Sequence, residues 1–249
     1  MKSIFCLPAL LLLAYSVSGQ EFKISKSSGR LELKIGRVTV EGYNGNEIIF
    51  TGRDRDKKDD ERSKGLKEIS GLGIDDNTGL GINVEDKGNT IVVRQLRKMN
   101  SPDIRIQVPK GITVSYQFES QYGGEVIFRN LESEIEFSSN YNSLEMVNVT
   151  GPAVVKTIYG NVEATFDQNV KGPLSIVSVY GYADVTLPAA IKANLKLSTS
   201  YGELYASPDL KIEMDRSQED ENRVIGKING GGMTVDISSS YGKVYLRKK

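Results

Sequence analysis

A tyrosine, usually followed by glycine, returns at near-constant spacing through the second half of the chain. No other feature constrains the fold as much. The pairs are Tyr122-Gly123, Tyr141-Asn142, Tyr159-Gly160, Tyr180-Gly181, Tyr201-Gly202 and Tyr241-Gly242. Successive tyrosines stand 19, 18, 21, 21 and 40 residues apart, and the last interval reads as two periods of 20. A fixed period of this size is the mark of a repeat architecture.

Each repeat carries more than its tyrosine. Two residues earlier stands a small hydroxyl residue: Ser120, Ser139, Thr157, Ser178, Thr199 or Ser239. Four residues earlier stands an apolar one: Phe118, Phe137, Val155, Ile176, Leu197 or Ile237. Three residues later comes Leu144, Val162, Ala183, Leu204 or Val244; the first copy has Glu125 there and Val126 next, as if Gly124 were one extra residue. A strand sends alternate side chains to opposite faces, so the apolar, hydroxyl and tyrosine positions are expected on one face. The apolar column predicts that this face is the inner one.

Helical periodicity is almost absent. Alternation such as Leu31/Leu33/Ile35, Ile104/Ile106/Val108 and Met233/Val235/Ile237, bounded by Gly, Asn, Ser and Pro, reads as short strands and tight turns. The fold class is therefore all-β. Hairpins of a sandwich have no reason to repeat Tyr-Gly in one register. A coil that climbs one strand spacing per turn, roughly 4.8 Å, does, because equivalent residues stack. The prediction is a single-chain β-solenoid, or β-helix, with rungs of about 20 residues. The glycine suits a corner at positive φ, and Asn142 is the next most tolerant residue there.

The chain divides in two. Lys2, the apolar stretch Leu7 to Ala14 and the small residues Val17-Ser18-Gly19 have the layout of a secretory signal peptide over residues 1–19. Residues 20–249 read as one solenoid domain: less regular strands over 20–110, then Tyr-Gly rungs over 111–247. Cys6 lies inside the signal segment, so the remainder has no Cys, His or Trp and no disulfide framework. Its 31 basic and 32 acidic residues leave no basic surplus for nucleic acid. No later apolar run is long enough for a transmembrane helix. Arg53 to Lys64, with eleven charged residues in twelve, reads as a solvated loop, and Asp215 to Arg223 as a second excursion.

With these segments laid out, the chain resembles the putative adhesin family of bacterial envelope β-solenoid proteins, a domain of unknown function related to the head-GIN type. The resemblance covers most of residues 22–247. It rests on the Tyr-Gly rungs, the step Val108-Pro109-Lys110-Gly111, the segment Ile228-Asn229-Gly230-Gly231-Gly232 and the opening Gly36-Arg37-Val38-Thr39-Val40-Glu41-Gly42. It departs before the glycine, where the family usually has Ser and this chain has Tyr. The resemblance implies a right-handed coil, export to the periplasm or cell surface, and no catalytic residues.

The residues offer little chemistry. Ser240-Tyr241-Gly242-Lys243 is a Ser-x-x-Lys, but it crosses a strand corner instead of opening a helix. Without His or Cys, zinc and redox metals lack their usual ligands. Asp75-Asp76-Asn77-Thr78-Gly79 lacks the spacing of a calcium loop and reads as a turn. No catalytic, metal or cofactor-binding residue is expected. The tyrosine and glycine column is expected to be scaffold, each ring packing on its neighbour. The function expected is a non-enzymatic envelope protein that binds a glycan or another envelope protein. An enzyme on acidic polysaccharides and a component of envelope-stress signalling are the alternatives.

Overall fold

The computed structural model describes residues 20–52, 61–215, 217 and 220–249. The expected signal segment 1–19 and residues 53–60 of the expected charged loop lie outside the described residues.

Where the sequence alternates, strands form. The first half holds β1 (Glu21–Ser25), β2 (Ser28–Lys34), β3 (Val38–Tyr43), β4 (Glu47–Gly52), β5 (Ile82–Lys87), β6 (Thr90–Gln95), β7 (Ile104–Pro109) and β8 (Gly111–Phe118). Next come β9 (Val126–Arg129), β10 (Ile135–Ser139), β11 (Leu144–Val149), β12 (Ala153–Thr157), β13 (Val162–Phe166), β14 (Leu174–Ser178) and β15 (Ala183–Leu187). The last six are β16 (Ala193–Thr199), β17 (Leu204–Ala206), β18 (Ile212–Met214), β19 (Arg223–Ile228), β20 (Met233–Ser239) and β21 (Val244–Lys248).

The strands form two facing sheets. One runs β1-β4-β7-β3-β9-β11-β13-β15-β21-β17, the other β18-β19-β16-β20-β14-β12-β10-β8-β2-β6-β5. A strand of the second sheet passes through a corner into a strand of the first, and the pair makes one layer. The layers stack in the order β6/β7, β2/β3, β8/β9, β10/β11, β12/β13, β14/β15, β20/β21, β16/β17. Neighbouring layers pair in parallel, as β10 with β12 and β11 with β13. The fold is all-β and β-solenoid-like.

The layers do not follow chain order. The 40-residue interval between Tyr201 and Tyr241 is not two rungs. After β17 the chain forms the antiparallel strands β18 and β19, and β19 covers the free edge of β16. It then returns, and β20 pairs with both β14 and β16. At the other end β6/β7 lies outside β2/β3, and antiparallel pairs β1-β4, β4-β7 and β5-β6 close the stack. Antiparallel edge strands end a parallel ladder without leaving a long regular edge.

Parallel register aligns the apolar column. Phe137 pairs with Val155, Val155 with Ile176, Ile176 with Ile237 and Ile237 with Leu197. All five are buried, and a fully buried side chain of this kind contributes ~1.5–3 kcal/mol. In the facing sheet Leu144, Val162, Ala183, Val244 and Leu204 align in the same way. The first copy is out of step. Tyr116, not Phe118, lies opposite Phe137, and Phe118 lies opposite Ser139. The Tyr116 ring stacks on Phe137 with centroids 4.8 Å apart.

Candidate binding surface

The corner after each second-sheet strand is where the repeated residues meet. Ser139, Thr157, Ser178, Thr199 and Ser239 end their strands and are buried. Each hydroxyl works twice in most copies. The Thr157 hydroxyl accepts the amide of Gly160 at 3.1 Å and donates to the carbonyl of Asn142 at 3.1 Å. Ser239 accepts from Gly242 at 2.9 Å and donates to the Gly181 carbonyl at 2.7 Å. Thr199 accepts from Gly202 at 2.9 Å and donates to the Gly242 carbonyl at 3.3 Å. A buried hydroxyl needs such partners, and here they tie one layer to the next.

The glycine requirement has a different cause from the one expected. Gly123, Gly160, Gly181, Gly202 and Gly242 are not among the residues at positive φ. A side chain is excluded instead by close approach. A Cβ on Gly160 would overlap the carbonyl of Asn142, one on Gly181 that of Gly160, one on Gly242 that of Gly181, and one on Gly202 that of Gly242. Asn142 ends this column and uses its side chain. Its Nδ2 donates to the carbonyls of Gly36 at 2.7 Å and Gly124 at 2.6 Å, across the longer first corner. Gly123 lies directly under that side chain.

Strand parity stops where the strand stops, so the tyrosines do not face inward. Tyr141, Tyr159, Tyr180 and Tyr241 keep 46–55% of their surface exposed, and Tyr201 keeps 76%. Their rings form one external stack in the order Tyr141, Tyr159, Tyr180, Tyr241, Tyr201. Centroids are 5.2, 4.9, 4.7 and 5.0 Å apart and the planes lie within 17° of parallel. Tyr122, on the out-of-step first copy, is 41% exposed and stacks on no other ring among the described residues. The faces of the three inner rings are covered by their neighbours, so what they show to solvent is their edges. The five hydroxyls have no hydrogen-bond partner among the described residues. They make a row of free phenol groups about one strand spacing apart.

A second aromatic group adjoins on the outer face of the first sheet. Tyr205 stacks on Tyr245 at 5.3 Å, and Tyr182 meets Tyr245 edge-on at 6.3 Å. Lys243 Nζ lies 5.6 Å from the Tyr205 ring and the Arg247 guanidinium 5.6 Å from the Tyr245 ring. Tyr182 donates to the Glu163 carboxylate, which holds its phenol proton and pushes its pKa up to about 12. These three tyrosines were not singled out in the sequence. Their signal is a tyrosine two or four residues after the column tyrosine in the last three layers.

The side chains of the two other motifs singled out in the sequence make local contacts. Lys243 pairs with Glu203 at 3.4 Å and not with Ser240, so the Ser-x-x-Lys is not assembled. Asp76 turns its carboxylate onto the amides of Thr78, Gly79 and Gly81 at 2.7–3.0 Å, which closes its own turn. Charged rung residues pair across strands, as Arg247 with Asp184 at 2.7 Å and Lys196 with Asp236 at 2.8 Å. Among the described residues no helix is long and apolar enough to cross a membrane.

Residues 124–247 match the family model of Toastrack DUF4097. No curated protein matches the chain. Two solved structures align over most of its length. A putative cell adhesion protein from Clostridium sporogenes shares 15% identity, covering 93% of this chain and 100% of its own with a TM-score of 0.46. A putative adhesin from Bacteroides fragilis shares 14%, covering 94% and 98% with a TM-score of 0.43.

Proposed function

Residues 124–247 belong to the Toastrack DUF4097 family, and from that premise we propose that the chain is an exported, non-enzymatic envelope protein that presents its tyrosine corner as a binding surface. The coil is right-handed with rungs of about 20 residues, residues 1–19 direct export, and residues 20–249 act as one domain in the periplasm or at the cell surface. The partner is a glycan or another envelope protein.

One observation carries this reading: the five stacked rings of Tyr141, Tyr159, Tyr180, Tyr241 and Tyr201 stand outside the core. A tyrosine ladder placed only for stability gains by burying its rings. This one leaves about half of four of its tyrosines and about three quarters of Tyr201 in solvent, with no hydroxyl paired among the described residues. Ring edges and hydroxyls in a straight row suit an extended, hydroxyl-rich polymer or a peptide strand lying along the axis. Flat sugar stacking is limited to the uncovered face of Tyr201 and the outer face of Tyr141.

A glycan array together with an envelope pull-down tests the reading. Binding that falls at least tenfold when Tyr159, Tyr180 and Tyr241 are changed together to Phe assigns the hydroxyl row to recognition, because Phe keeps the stack. No binding in either assay, with the folded parent chain, rejects it.

A further inference from the structure

Apart from the tyrosines, six large apolar side chains are exposed among the described residues, and four of them lie at the end of the coil opposite Tyr201. Leu66, Ile69 and Leu72 are 74–78% exposed on one loop, and Met99 is 54% exposed on the loop beside it. The other two among the described residues, Val154 and Met214, lie apart from this end. Scattered single residues need no explanation, but a cluster on one projecting loop does.

The loop is built to project. It has one bridge, Ile69 with Asp75. Its backbone closes on itself, Ser70 N donating to Ile74 O at 2.7 Å, Gly73 N to Ser70 O at 2.9 Å and Asp76 N to Glu68 O at 3.0 Å. A segment that enters an apolar medium must satisfy its backbone internally in this way. Around Ile69 and Leu72 its acids are neutralised or held: Glu68 pairs with Arg97 at 2.5 Å, Asp75 with Lys67 at 3.9 Å, and Asp76 accepts from its own turn amides.

Behind the loop lies a cleft of about 630 Å³ whose lining includes Leu72, Phe118, Lys34, Arg94, Arg97 and Lys98. Lys34 and Arg94 are direct cross-strand partners. Like charges in that register repel, and Glu32 at 2.7 Å from Lys34 and Glu85 at 4.0 Å from Arg94 offset this only in part. Lys98 has no ion-pair partner among the described residues, and Glu119 is the one carboxylate in the lining. The end of the coil thus combines aliphatic tips with a cationic cleft directly behind them.

We propose that this end docks on an anionic lipid surface. Leu66, Ile69 and Leu72 enter the outer acyl region, and Lys98, with Lys34 and Arg94 beside it in the lining, meets headgroup phosphates at the cleft, while Arg97 stays on Glu68. Apolar insertion and basic attraction are the two signals that together hold a protein at a bilayer surface. Charge complementarity and the aliphatic character of the tips favour lipid over a protein partner, whose contacts favour aromatic anchors. The tyrosine ladder would then point away from the membrane, and the proposal stands without any ligand for it.

The chain has no tryptophan, so a single indole reports its own surroundings. In the full chain, Leu72→Trp and, separately, Val154→Trp are titrated with vesicles of phosphatidylcholine alone or with 30% phosphatidylglycerol, as ~100 nm test membranes carrying brominated acyl chains. The expected result is a blue shift and bromine quenching at position 72 only, only with the anionic vesicles, and weakened by salt. Adding Lys98→Glu, which leaves the Arg97–Glu68 pair in place, weakens it at least tenfold. No quenching at position 72, equal quenching at position 154, or equal response to neutral vesicles overturns the proposal. So does a full blue shift with glycerol phosphate alone, which would make the cleft a small-anion site.

Discussion

The hydroxyl of Ser178 donates to the carbonyl oxygen of Gly160 in the neighbouring layer at 2.9 Å, with Ser178 wholly buried. That bond extends the link between the two layers past the end of the β12–β14 ladder, beside the corner amides of Val179 and Tyr180 that donate to the carbonyls of Thr157 and Ile158. Ser178→Ala leaves the carbonyl unpaired inside the corner, a loss of about 1–3 kcal/mol. Thr fills the same position in Thr157 and Thr199, so Ser178→Thr is expected to stay within ~1 kcal/mol of the parent. Urea unfolding of the two variants checks the contrast. Equal losses would remove the hydroxyl from the account.

Gly242→Ala is expected to cost more than an ordinary surface change, because its Cβ would overlap the backbone carbonyl of Gly181, which cannot swing aside. Overpacking of this kind costs about 1–3 kcal/mol or more, a fall of several degrees in Tm for a domain of this size. Gly71→Ala is the control, since nothing lies within 4 Å of its Cβ position and its φ is ordinary. Calorimetry should show the second variant within ~0.5 kcal/mol of the parent. Equal stability of both variants would contradict the carbonyl stack.

The ring order gives a direct test of the threading. Tyr241 sits between Tyr180 and Tyr201, at 4.7 and 5.0 Å, although Tyr201 precedes it in the chain. A double-mutant cycle on Tyr180 and Tyr241, each changed to Ala, should give a coupling of about 0.5–1.5 kcal/mol. The same cycle on Tyr180 and Tyr201 should give a value near zero. The opposite pattern would restore simple chain order.

Much of this was legible in the sequence, for reasons tied to particular residues. The aligned columns of Val155, Ile176, Leu197 and Ile237 follow from register alone, because parallel layers repeat one side-chain pattern. Three things were not legible. The fate of the 40-residue interval depends on β19 covering the edge of β16: the polar stretch Asp215 to Arg223 reads as an excursion, but nothing in it shows that the strands flanking it pair antiparallel. The direction of the tyrosines depends on strands ending at Thr157 and its equivalents, which spacing cannot reveal. The first copy is shifted because Tyr116, a residue outside the repeat pattern, takes the place opposite Phe137.

The ion pair of Arg30 with Glu136 spans β8 on the outer face of its sheet, with Ser115 as a third partner. The Arg30 hydrogen bonds hold the Glu136 carboxyl below its ordinary range despite some desolvation. A carboxylate lowered in the folded state contributes stability above its unfolded pKa and loses it as pH falls through the folded one. Both side chains are about a third exposed, so solvent screening limits the pair to under ~1 kcal/mol. Glu136→Gln should therefore be slightly less stable than the parent at pH 7. The gap should close as pH drops below the usual carboxylate range and shrink in high salt. A gap unchanged by either would assign the loss to packing.

Tyr116 presents the sharpest case of a buried group without a partner. Its ring stacks on Phe137 in the core while its hydroxyl, also buried, bonds to nothing among the described residues. Burial pushes its pKa far above the ordinary phenol value. The sign follows from proton binding: the folded chain keeps the proton that the unfolded chain releases above pH ~10. This group's contribution is therefore complete below that pH and is lost as pH rises. Tyr116→Phe removes both the unsatisfied hydroxyl and the titration, and keeps the stack. The Phe variant should match or exceed the parent by ~1 kcal/mol at pH 7, and its advantage should widen above pH ~10. Unfolding curves at both pH values measure this. A variant that loses more than ~1 kcal/mol at pH 7 would mean that the Tyr116 hydroxyl is paired.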